Sequence, residues 1–116
     1  MKTFVIIFRQ GQPAPTPEER QKGANEVVEW AQRVNAAGHK LDPRILAPES
    51  AKPGPQSSDS GQTEELPITA LLFLEARDLG EAREIAASHP AVRYRARVEV
   101  RPWNPPLRPA FLPPAK

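Results

Sequence analysis

The sequence has no cysteine. Disulfides, thiol nucleophiles and thiolate metal sites are therefore excluded, and a reducing compartment suits the chain, so a cytoplasmic location is expected. Histidine is scarce, with two residues, His39 and His89, too far apart in the chain for a His-x-x-x-His pair. No metal site and no cofactor are expected on that count. No long apolar run exists. The apolar opening, Phe4 to Phe8, is far short of the ~20 residues a membrane helix needs, and no cleavage-site pattern follows it. One-sided charge is missing too: 16 basic and 14 acidic residues are interspersed and leave a net charge of +2. That argues against a nucleic-acid partner, as the absence of a membrane span argues against a membrane. Gly54 and Gly61 lie among Pro and Ser with no helix behind them, so no phosphate-cradling loop is read.

What the chain does have is proline, 15 residues, concentrated in two stretches. Those stretches bound the periodic segments. Thr3–Arg9 is apolar on both strand faces, with Phe4, Ile6 and Phe8 on one side and Val5 and Ile7 on the other. Thr16-Pro17-Glu18-Glu19 is a helix start with a capping box, and Gly38 is its stop. Between them Ala24, Val27, Val28, Ala31 and Val34 form an apolar stripe with Trp30 at its edge. Ile45-Leu46-Ala47 is a short candidate strand before the Pro-rich loop 48–67. Then comes the most apolar stretch, Pro67 to Ala76, again two-faced: Ile68, Ala70, Leu72 and Leu74 oppose Leu71 and Phe73. Asp78 caps a second helix, with Glu81 three residues on, that ends near Ser88. Tyr94–Arg101 alternates Tyr94, Ala96, Val98 and Val100 with Arg95, Arg97, Glu99 and Arg101, the pattern of a strand with one wet face. Residues 103–116 read as a Pro-rich tail beyond a folded unit of residues 1–102.

Strand, helix, strand, strand, helix, strand is the split βαβ order. The fold class is therefore α+β: a ferredoxin-like βαββαβ unit with a four-stranded antiparallel sheet and two helices on one face. The first and third strands belong in the middle, in agreement with their two apolar faces. Two helices cover only one face of such a sheet, and the other would still carry Leu71 and Phe73. A homodimer packed sheet to sheet through these residues, a dimeric α+β barrel, is the expected cover. A tail folding back through Trp103, Leu107, Phe111 and Leu112 is the alternative.

Several short segments carry a resemblance. Leu46-Ala47-Pro48-Glu49-Ser50-Ala51, Glu75-Ala76-Arg77-Asp78-Leu79-Gly80-Glu81-Ala82, Ala86-Ala87-Ser88-His89-Pro90 and Val98-Glu99-Val100-Arg101-Pro102 occur in the order and spacing of the YCII-related proteins, in the branch named for a DGPF motif. The chain resembles that family from about Met1 to Pro102. The resemblance implies a small dimeric α+β barrel. The DGPF signature itself is absent; between Ala51 and Pro67 the chain reads KPGPQSSDSGQTEEL. The His-Asp pair of the family's enzyme-like branch has no match either, since the first helix holds no His.

The candidate chemistry follows from this frame. Arg9, His89, Tyr94, Glu99 and Arg101 would line one end of the sheet as a site for a small polar or anionic ligand. His89 is the candidate catalytic residue, with Glu75 or Glu99, if the fold is that of an acid-base enzyme. The structural reading, which the position at a helix end favours, is that it hydrogen-bonds the last helix carbonyls. A third reading is an accessory protein docking a partner through Pro105-Pro106-Leu107-Arg108-Pro109. His39 and the loop acids Asp59, Glu64 and Glu65 read as solvated.

Overall fold

The computed structural model describes residues 1–51, 53 and 66–104. Its elements are β1 (Lys2–Arg9), α1 (Pro17–Ala36), β2 (Leu41–Ile45), β3 (Ile68–Ala76), α2 (Leu79–Ala87), a 3₁₀ turn (Pro90–Tyr94) and β4 (Arg97–Pro102). The sheet order is β2-β3-β1-β4, every pairing antiparallel. The two doubly apolar strands are the central ones, because only an interior strand has both faces to bury.

Each helix begins as its sequence directs. The Thr16 hydroxyl accepts the Glu19 amide at 3.1 Å, and the Glu19 carboxylate accepts the Thr16 amide at 3.0 Å. At the other end of α1, Gly38 has φ 99°, the Gly38 amide donates to Asn35 O, and the His39 amide donates to Val34 O. This is a Schellman turn, and it needs a residue free to adopt positive φ. The Asp78 carboxylate accepts the Glu81 amide at 2.8 Å to start α2, while the Glu81 carboxylate reaches back to the Arg77 amide.

The core lies between the helices and one sheet face. Phe4, Ile6, Phe8, Leu72, Leu74 and Ala76 meet Trp30 of α1 and Ala82 and Ala86 of α2. Both helices therefore share a face. The opposite face carries Val5, Ile7, Leu71 and Phe73. Val5 is buried and the other three are half-buried. The Trp103 ring stands edge-on to Phe73, centroids 4.8 Å apart, and the Trp103 amide donates to Thr3 O, prolonging the β4 ladder.

Three local readings are corrected. In α1 the buried anchor is Trp30, and the inward stripe is Val27, Trp30, Ala31 and Val34; Val28 is 58% exposed and Ala24 faces out. The indole is the largest apolar group on the helix, and its N–H finds the Ser88 hydroxyl at 2.8 Å, so it sets the rotation. The second strand is Leu41–Ile45 rather than Ile45–Ala47. Pro43 is tolerated there because β2 is an edge. The fourth strand begins at Arg97, after the 3₁₀ turn and a left-handed Arg95 (φ 74°). Loop residues 54–65 and the tail segment Pro105-Pro106-Leu107-Arg108-Pro109 lie outside the described residues.

Candidate functional site

His89-Pro90 is where α2 hands over to the 3₁₀ turn. Proline suits the first position of such a turn, and the residue before it must be extended; His89 has φ −66° and ψ 135°. In that conformation its side chain caps the turn, and the Ala91 amide donates to His89 Nδ1 at 3.0 Å. The ring lies between Phe8 and Trp30, 4.6 Å from each centroid. It is 9% exposed. Burial disfavours the imidazolium and pulls the His89 pKa down to about 4.

This ring forms part of the wall of a cavity of about 410 Å³ between α1, β2 and β3. Val27, Trp30, Ala31 and Asn35 come from α1, Leu41, Pro43, Arg44 and Ile45 from β2, and Thr69 to Leu72 from β3, with Phe8, Ala91 and Ala96 beside His89. The wall is mostly apolar, with few polar groups converging on it, the usual form of a small-molecule site. Arg44 is the charged lining residue, and its guanidinium is engaged by Asp42 and by the Pro43 carbonyl. A second cleft of about 440 Å³ lies between α2 and β4, lined by aliphatic side chains and Arg83.

The five residues read from the sequence as one site are not gathered. His89 lies on the helix-covered side, in the cavity wall. Tyr94 is in the 3₁₀ turn, where its hydroxyl donates to the Glu26 carboxylate of α1 at 2.8 Å, an acceptor shared with Arg93. That bond raises the Tyr94 pKa and lowers that of Glu26. Glu99 and Arg101 pair with each other at 2.6 Å on β4, opposite Ile7 and Val5, and so belong to the helix-free face. Arg9 ends β1 opposite Arg97 and donates to Leu66 O at 3.0 Å. Alternation along the strands separates His89 from Arg9, Glu99 and Arg101. Glu75 pairs with Thr3 at the far end of β1, five residues from Phe8, or roughly 17 Å along the strand. It is out of reach of His89. His39 is tethered rather than free in solvent: its Nδ1 lies 3.0 Å from Glu75 O and its Nε2 3.9 Å from Glu81.

Sequence spacing does not by itself reveal the rest of the wall. By spacing alone Trp30 sits at the edge of the apolar stripe, and no periodicity in residues 90–93 marks the 3₁₀ turn, whose last residue, Tyr94, fits the alternation of the following strand. The available signal was the i, i+3, i+4, i+7 spacing of Val27, Trp30, Ala31 and Val34. Among the described residues no group of three His, Asp or Glu side chains is placed to hold a metal ion. No helix among them is long and apolar enough to cross a membrane.

A second clamp holds the α1 entry. Arg95 donates to Glu19 at 2.7 and 3.3 Å and to Pro13 O at 2.9 Å. With Thr16 it holds the Glu19 carboxyl down to about 2. This cluster braces the loop before α1 rather than lining the cavity.

Comparison with known proteins bears on fold and family. The model of the YCII-related domain matches residues 3–104. No curated protein sequence matches the chain significantly. Among solved structures, 5-chloro-2-hydroxyhydroquinone dehydrochlorinase of Burkholderia phenoliruptrix, in complex with 2,5-dihydroxybenzoquinone, aligns with a TM-score of 0.51 at 15% identity, over 87% of this chain and 93% of that one. A likeness at that identity speaks for the shared fold.

Proposed function

The chain belongs to the YCII-related family, and from that membership we propose that it binds a small, flat, largely apolar molecule in the cavity between α1 and the sheet. The observation that carries this reading is His89: a buried imidazole, fixed by Ala91 and two aromatic rings, in the wall of an otherwise mostly apolar space. The ligand of the dehydrochlorinase, a hydroxylated quinone, supports a flat ring as the occupant, and the apolar wall here suits a neutral one. The polar or anionic ligand at the sheet end gives way to this site, because Arg9, Glu99 and Arg101 face away from it. Calorimetric titration of 2-acetylnaphthalene, a flat, neutral and largely apolar molecule, tests the reading. Binding is expected to wild type and to vanish in Ala31→Trp, which fills the cavity from α1. Equal binding to both proteins would place the ligand elsewhere.

Two further parts complete the proposal. The helix-free face is covered by a second copy of the chain, through Leu71 and Phe73, as is expected of the family. The Pro-rich C-terminal segment is a tail that leaves the folded unit just beyond Trp103, which itself packs on Phe73, and the protein acts in the cytoplasm, as its lack of cysteine suits.

A further inference from the structure

We infer that His89 is a one-way hydrogen-bond donor, and that the cavity selects neutral molecules presenting a carbonyl oxygen to its Nε2–H. The inference rests on the cavity reading above and names its ligand class. An amide N–H only donates, so the 3.0 Å bond from Ala91 to Nδ1 requires a bare lone pair there. In the neutral ring the proton must then sit on Nε2. Burial keeps the ring neutral at physiological pH. Nε2 has no partner among the described residues, yet it is not sealed from solvent. It is thus a donor waiting at the wall of an apolar space.

The other polar lining groups are occupied or peripheral. The Thr69 hydroxyl donates to Phe8 O at 3.4 Å, Arg44 is held by Asp42 and Pro43, and Asn35 is exposed near the C-terminal end of α1. A ligand hydroxyl could accept from Nε2–H, but its own proton would then face carbon. A carboxylate would bury its charge against one neutral donor. A carbonyl satisfies the donor and leaves nothing unpaired. The same geometry denies His89 a free lone pair, so it cannot abstract a proton from a ligand while the Ala91 bond stands.

The test compares 2-acetylnaphthalene with 2-ethylnaphthalene, nearly equal in shape, on wild type and on His89→Asn. An Asn side-chain oxygen can still accept from Ala91 and cap the turn, but the Nε2 donor is gone. The affinity ratio of ketone to hydrocarbon is expected to fall about fivefold in the variant, the worth of one hydrogen bond. An unchanged ratio, with both compounds still shifting the Trp30 indole N–H signal, would overturn the inference and leave the cavity reading standing. If neither compound moves that signal in wild type, the cavity reading falls and the inference with it. A readout on wild type alone guards against a variant that fails to fold. The isotope-labelled carbonyl carbon of bound 2-acetylnaphthalene should resonate downfield of its position in hydrocarbon solvent, and an unshifted carbon would refute the donor.

Discussion

His89 links stability to pH. Its folded pKa of about 4 lies below the 6.5 of an unperturbed imidazole. Between those values the unfolded chain takes up a proton that the native ring refuses. Its contribution is complete at and above pH 6.5 and is lost as the pH falls toward 4. The linked loss is about 3 kcal/mol at most. Glu19, held at about 2 against an ordinary 4.5, loses its own contribution only below pH 4.5. The urea midpoint of wild type should therefore fall between pH 6.5 and 5, and that of His89→Asn should fall less. Equal slopes would mean that the ring titrates normally. Gly11 is a second point of control, because a Cβ there would lie 1.7 Å from the Arg95 carbonyl oxygen. Gly11→Ala should cost more than about 2 kcal/mol in urea unfolding, since backbone on both sides must shift. The sequence singled out His89 as the residue to watch. Its tautomer was not legible, because that depends on an amide two residues away whose direction is set by the 3₁₀ turn.

At the scale of elements, α1 decides the site. Its cap is local and was legible: Thr16-Pro17-Glu18-Glu19 folds as written. Thr16→Ala should cost about 1 kcal/mol. Its rotation is tertiary and was not legible. Five small apolar residues outvote one tryptophan in a count of spacing, yet one buried indole outweighs an exposed Val28. Trp30→Ala should cost about 3–5 kcal/mol and abolish ligand binding, since Trp30 holds α1 to Ser88 and also forms the cavity wall. Chemical denaturation measures the first effect and calorimetry the second. The strands divide in the same way. β1 and β3 were plain because both faces are apolar. β2 was misplaced because its pairing with β3 starts before Pro43, and the start of β4 was missed because Tyr94 and Ala96 keep the parity of a strand while the backbone turns between them.

For the whole molecule, strand order and the single helix-covered face were legible, because a two-helix chain must leave one sheet face open. The site was not. Five residues chosen for their chemistry were divided by strand alternation between opposite faces, and the cavity arose where α1 stands off β2 and β3. The open face carries its own prediction. Leu71→Lys with Phe73→Lys should turn a dimer into a monomer by light scattering, and a dimer that survives both changes would move the interface off this face. The most direct measurement is a map of amide and indole shifts as 2-acetylnaphthalene is added to wild type. The account predicts shifts at the Trp30 indole and at the Ala91, Thr69 and Ala70 amides, with the Glu99 amide still. Shifts confined to Leu79, Arg83 and Val98 would put the ligand in the cleft between α2 and β4 and contradict it.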